Sequence, residues 1–136
     1  MLLAATSFAT EPLKVSPVVK AAFENDFSKA SHVSWEKSNG FYFASFTLND
    51  VNVDAAYTEK GELIGTSRRI TAEQMPLSIS LAIAKKYDGY LVDKPVVELT
   101  YEDLTRYYVT VSNLSHAFKL KCFSSGELEI ERKIKK

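Results

Sequence analysis

The stretch 39–70, NGFYFASFTLNDVNVDAAYTEKGELIGTSRRI, constrains the fold more than any other part of the chain. Within it Tyr42, Ala44, Phe46 and Leu48 alternate with Phe41, Phe43, Ser45 and Thr47. Val51, Val53, Ala55 and Tyr57 then alternate with Asn52, Asp54 and Ala56. Period-two alternation sends the two sets to opposite faces of a sheet. Turn signals separate the runs: Asn39-Gly40, the strongest hairpin signal in the chain, then Asn49-Asp50, then Glu59-Lys60-Gly61. Asn, Asp and Gly tolerate the left-handed backbone that tight turns need. The spacing predicts strands over 33–37, 41–48, 51–57 and 62–69, an antiparallel meander with one apolar face.

Such a sheet needs a cover. Ser16-Pro17 reads as a helix start, with Ser16 as the cap and Pro17 at the first helical position. Val19, Ala22, Phe23, Asp26 and Phe27 follow at helical spacing. Trp35 shares a strand face with Val33 and is expected to be largely buried between helix and sheet. After the meander, Thr71-Ala72-Glu73-Gln74 reads as a capping box, and Met75-Pro76 interrupts before the main helix over 77–87. Ile79, Ala82, Ile83 and Tyr87 form its apolar stripe, and Asp88-Gly89 stops it. Strands are expected over 96–101, 106–112, 116–123 and 127–133. Phe118, Leu120 and Cys122 point inward, and Leu128, Ile130 and Arg132 share one face. Gly61-Glu62-Leu63 recurs 65 residues later as Gly126-Glu127-Leu128, and the same offset lays Tyr42-Phe43-Ala44-Ser45-Phe46 on Tyr107-Tyr108-Val109-Thr110-Val111. The expected fold class is therefore α+β: two tandem helix-plus-four-stranded units, 16–70 and 71–136, forming one compact domain. Both helices would pack on one face of a continuous eight-stranded sheet.

Lys plus Arg and Asp plus Glu both total 17, so the chain lacks the basic excess of a nucleic-acid-binding domain. The charged tail over 127–136 reads as a solvated last strand. Glu127, Glu129 and Glu131 fall on one face of it, opposite Lys119 and Lys121, an arrangement expected to give cross-strand ion pairs. One cysteine permits no internal disulfide, and its register with Phe118 and Leu120 makes Cys122 a small core hydrophobe rather than a nucleophile. The chain contains no glycine-rich phosphate loop, no GxSxG and no HExxH. Two isolated histidines, and Asp50 with Asp54, do not supply a metal ligand set. The expectation is a protein with no cofactor, no metal and no enzymatic site. At the N-terminus an apolar run ends in Ser7-Phe8-Ala9, which reads as the last part of a signal peptide. Residues 1–15 are then a signal-peptide remnant and linker, the mature chain starts near Thr10, and the location is periplasmic or secreted. No apolar run is long enough to span a membrane.

The candidate site follows from the alternation. If Tyr42, Ala44 and Phe46 are core, Phe41 and Phe43 face away from the helix, and the repeat places Tyr108 at the position equivalent to Phe43. Either these aromatics form a binding face, or the N-terminal segment or a loop folds over them. Phe41, Phe43 and Tyr108 are the candidate partner-binding residues. The chain is expected to be a non-enzymatic exported module that docks a protein partner there, as an inhibitor of an enzyme or in envelope protein assembly. The alternative is a small-ligand carrier with a pocket between helix and sheet.

The pattern Val18, Ala22-Phe23, Phe27, Ala30, Val33-x-Trp35, then Gly40-x-Tyr42-x-Ala44-x-Phe46, Ala56-Tyr57-x-x-x-Gly61-Glu62 and Met75-Pro76 before a helix ending in Tyr87 resembles the PepSY-like, β-lactamase-inhibitor-like domains of small exported bacterial proteins. The resemblance covers most of the chain after the leader and is closest over 18–87. It implies tandem helix-plus-sheet units whose exposed sheet face grips a partner. Its motifs are core and turn residues, which speak for the fold and not for an activity. The β-lactamase inhibitor protein carries disulfides that this chain cannot form, so inhibition of a β-lactamase does not follow. Met75 stands where the family often has Leu before Pro, a tolerated apolar exchange.

Overall fold

Ser16 caps the first helix through its side chain, which accepts from the Val19 amide at 3.4 Å, and Pro17 occupies the first turn. In the computed structural model, which describes residues 13–136, this helix is α1 (Pro17–Asp26). The expected cleavage site at Ser7-Phe8-Ala9 lies outside the described residues. Four strands follow, β1 (Ser31–Ser38), β2 (Phe41–Leu48), β3 (Val51–Thr58) and β4 (Leu63–Ile70). A single 3-10 turn (Ala72–Gln74) leads to α2 (Leu77–Lys86). The side chain of Gln74 accepts from the Thr71 amide at 2.8 Å, the reach-back of a capping box. The chain closes with β5 (Leu91–Val92), β6 (Val96–Tyr101), β7 (Leu104–Ser112), β8 (His116–Phe123) and β9 (Leu128–Lys135).

The fold is α+β, with one antiparallel sheet in the order β1-β2-β3-β4-β6-β7-β8-β9. Asn39-Gly40, Asn49-Asp50 and Glu102-Asp103 all take positive φ at both turn residues, so each closes a two-residue hairpin matched to the strand twist. Among the described residues the sheet has nine strands where eight were expected. The addition is the short β5, which pairs with β7 beyond the end of β6 and is joined to it through the cis Lys94–Pro95 peptide. Two residues carry too little alternation to announce themselves.

Both helices lie on the same side of the sheet. Val19 and Phe23 of α1 pack on Tyr42, Ala44, Phe46, Val53, Ala55 and Tyr57. Ile79 and Ile83 of α2, with Met75 and Tyr87, pack on Val96, Tyr107, Val109, Val111, Leu120 and Cys122. The pairing register carries one face from Val53 through Arg68 and Glu98 to Tyr107 and Cys122, which connects the two sets. Tyr57 donates to the Asp26 carboxylate at 2.9 Å, satisfying the one polar atom of an otherwise apolar buried ring.

Two expectations about the sheet edges need correction. Trp35 is half-buried, not largely buried. Its ring meets Phe23 edge-on at 5.2 Å, but among the described residues β1 is an outer strand with no neighbour on its far side. An extra residue between Ser31 and Ser34, with His32 at φ +54°, also leaves Val33 exposed rather than sharing the covered face. At the opposite edge Leu120 pairs with Ile130 while Lys119 pairs with Arg132, so Glu131 is an extra residue. That bulge moves Arg132 to the other face from Leu128 and Ile130, because adding one residue inverts a period of two. Bulges and charged side chains at both outer strands are a common guard against edge-to-edge pairing.

Candidate functional site

The middle of the sheet inverts the usual polarity. On the helix side, β4 and β6 present Ile70 and Val96 to the second core, but between the two cores they present Thr66, Arg68, Glu98 and Thr100, none of which belongs to either. On the helix-free side the same β6 presents Val97, Leu99 and Tyr101, paired with Arg69, Ser67 and Gly65. A sheet covered on one side normally keeps polar residues on the other. Here β6 carries its apolar residues on the bare side, while β4 presents Ser67 and Arg69 there.

Phe41, Phe43, Ala56, Ile64, Leu99 and Tyr101 line an open groove of about 390 Å³ on that side. Local backbone features build it. Gly65 lies directly between Ala56 and Tyr101 in the register, and a Cβ there would stand 2.8 Å from the Thr100 carbonyl oxygen, so only glycine lets β4 and β6 approach this closely. Ile64 is the extra residue of a bulge between Ala56 and Tyr57, and the bulge is what re-aims it into the groove.

Phe41 and Phe43 are 38% and 37% exposed, so no described loop covers them. Tyr108 does not join them. It is half-buried, paired between Val97 and Lys121, and four strands away from Phe43. Its place in the cluster is taken by Tyr101, 42% exposed, together with Leu99 and Ile64. The signal for Leu99 and Tyr101 was present as alternation in Val97-Glu98-Leu99-Thr100-Tyr101. Without knowing where the helices end, an apolar set of that kind reads as core.

Charge is distributed unevenly around the groove. Asp54 accepts from Ser45 Oγ at 2.5 Å and lies 3.7 Å from Arg69, so its charge is answered locally. The Arg106 guanidinium sits 5.8 Å from the centre of the Tyr101 ring and donates to the Tyr101 and Leu104 carbonyls. The ion pairs expected across the last two strands do not form: Lys121 faces Glu129 with no contact within 4.0 Å, and Lys119 faces Arg132 because of the Glu131 bulge. Among the described residues, no carboxylate comes within 4.0 Å of Arg106, Lys119, Lys121 or Arg132.

On the helix side, Arg68 grips Glu98 with two prongs, Nε to Oε1 at 2.6 Å and Nη2 to Oε2 at 3.3 Å. The bond from Arg68 holds the Glu98 carboxyl below its ordinary range, while burial pushes the Tyr107 hydroxyl up. A carboxyl depressed in the folded state contributes stability above its unfolded value of 4.5, and the contribution is lost as the pH falls through the lower folded value. Glu98→Gln is therefore expected to flatten the fall of the melting temperature below pH 4.5 and to lower stability at pH 7. Melting curves from pH 2 to 7 for both proteins check it. Burial pushes the Cys122 thiol up to about 12, which keeps it protonated and inert.

No family profile matches the chain, and no curated protein matches it in sequence. Solved structures do. A BLIP-like protein of Bacteroides fragilis, that is, one like the β-lactamase inhibitor protein, superposes with a TM-score of 0.77 at 21% identity, covering 91% of this chain and 89% of that one. A DUF2874 family protein of Bacteroides uniformis gives 0.73 at 21% identity over 88% of each chain. A Bacteroides eggerthii chain, provisionally described as a periplasmic protein, gives 0.74 at 16% identity over 90% of this chain and 89% of that one. None of these three is described as an enzyme. They carry the β-lactamase-inhibitor-like half of the resemblance read from the sequence; the PepSY-like half rests on the sequence pattern alone. At these identities the likeness speaks for the fold, and the fold of this chain is BLIP-like.

Proposed function

We propose that the chain is a non-enzymatic, exported module that binds a protein partner on the helix-free face, with Phe41 and Phe43 as anchors. The observation that carries this reading is the polarity inversion at β4 and β6, which leaves Leu99 and Tyr101 beside Phe41 and Phe43 on the bare side of the sheet. Large rigid rings framed by polar residues bury much area for little lost rotamer freedom. Tyr108 belongs to the outer part of such a face, across β4 and β6 from the phenylalanines. Export is supported by the apolar leader and by the periplasmic description of one structural neighbour. A photo-crosslinking residue at Phe43 is expected to capture a discrete protein from envelope extract. The same group at Leu81, 61% exposed on α2, should not. Equal capture from both positions would contradict the reading.

A small-ligand carrier is the second reading. It is favoured by a cavity of about 380 Å³ beside α2, lined by residues including Met75, Ile83, Tyr87 and Tyr90. Native mass spectrometry of protein from its own host separates the two, since a carrier retains its ligand mass.

The chain also reads as a tandem duplication of units 16–70 and 71–136. Each helix rests its second residue on a turn glycine: Val18 lies against Gly61 and Ser78 against Gly126, and both glycines take positive φ. Ser78 Oγ further donates to the Ser124 carbonyl. If the two contacts are equivalent, Gly61→Ala and Gly126→Ala should each cost about 1–3 kcal/mol, from a left-handed backbone plus a crowded Cβ. Urea unfolding of the two variants checks it, and a loss at only one position would argue against equivalence.

A further inference from the structure

We infer that the cavity beside α2 takes a small organic cation, its ammonium group in the corner between the Tyr87 and Tyr90 rings next to the Asp88 carboxylate, its apolar arm against Met75 and Ile83. This deepens, and rests on, the small-ligand reading of that cavity. It is independent of the docking face, which lies on the other side of the sheet.

The corner is made by the turn that ends α2. Gly89 takes φ +84° and folds the chain back, so that the Tyr90 amide donates to the Tyr87 carbonyl at 3.0 Å. That turn sets the two rings 5.5 Å apart at 77° to each other. Both line the cavity, so they form adjacent walls of it. The face of an aromatic ring carries negative charge density and attracts a cation. Phe118 backs both rings, 5.3 Å from Tyr87 and 5.9 Å from Tyr90, which fixes their positions. Met75 and Ile83, both part of the second core, supply apolar wall. The volume of about 380 Å³ falls within the span of small-molecule sites, about 300–1,000 Å³.

The lining selects the sign of the charge. Among the described residues, Asp88 is the one charged group that lines the cavity. Lys85 and Lys86 are close in sequence, but they border a separate hollow against Gly126 and Leu128. Helical spacing explains the split: Ser80, Ala84 and Tyr87 lie along one flank of α2, and Ala82, Lys85 and Lys86 along the other. Glu73 and Lys94, on the neighbouring turns, do not line the cavity. The C-terminal end of α2, the negative pole of a helix dipole, lies at the same turn. An anion would meet the carboxylate, and a neutral ligand would leave it and the ring faces unused.

The test uses two probes of one shape, meta-hydroxyphenyltrimethylammonium and meta-tert-butylphenol, in which carbon replaces the charged nitrogen. Each is titrated into the isotope-labelled chain at neutral pH, and the amide resonances of Gly89 and Tyr90 follow binding. The cation is expected to bind at least about fivefold more tightly. Asp88→Asn and Tyr90→Leu should each reduce that advantage, and the remaining resonances report that both variants stay folded. Equal affinity for the two probes overturns the cation and keeps the cavity as a ligand site. No shift at Gly89 and Tyr90 with either probe overturns the cation and removes the small-ligand reading as well. A preference that survives in both variants, or shifts centred on Phe41 and Phe43 instead, would also overturn the proposal.

Discussion

Replacing Phe23 by Ala is expected to cost about 3–5 kcal/mol, the range for deleting a large aromatic from a packed core. Phe23 is 5% exposed, and its ring centre lies 5.6 Å from Phe27, 5.2 Å from Trp35, 5.1 Å from Phe46 and 6.4 Å from Tyr57. Three of the four contacts are edge-on, the arrangement in which ring quadrupoles attract. Truncation therefore removes the hub that α1 inserts into the sheet, and strands on both sides of the gap cannot close over it. Urea unfolding followed by tryptophan fluorescence and by circular dichroism measures the loss. Trp35→Ala should cost less than that range, because β1 leaves one side of the indole open. A loss as large as that of Phe23→Ala would mean that Trp35 is more enclosed than its edge position allows.

Much of this arrangement was legible in the chain. Asn39-Gly40 and Asn49-Asp50 each favour a narrow set of turns, and period two does the rest. Ser16-Pro17 and Thr71 with Gln74 set helix starts for equally local reasons. What the pattern did not carry was long-range. The extra residues within His32-Val33, at Ile64 and at Glu131 follow from how neighbouring strands pair, and each one flips what comes after it. Tyr108 was placed with Phe43 by a repeat offset, which predicts equivalent positions in two halves but not their separation across a joined sheet. Leu99 and Tyr101 were missed because alternation says that two faces differ, not which one the helices cover. The inversion at β4 and β6 arises only where the two covered regions meet.

Phe41→Thr/Phe43→Thr is the substitution with the largest expected effect on binding. Both rings lie outside the two apolar cores, and Thr retains the β-branched shape that strands favour. The melting temperature should then stay within about 5 °C of wild type, the shift that one kcal/mol gives in a domain of this size. Loss of two interface anchors, worth together about 3 kcal/mol or more, should weaken partner binding by at least about 100-fold. The most direct measurement pairs these quantities on the same samples: the dissociation constant for the purified protein captured at Phe43, and the melting curve, for wild type and the double variant. A folded variant that binds at least about 100-fold more weakly is the predicted result. A folded variant that binds as tightly as wild type, or one that has unfolded because the rings form a second core, would contradict the account.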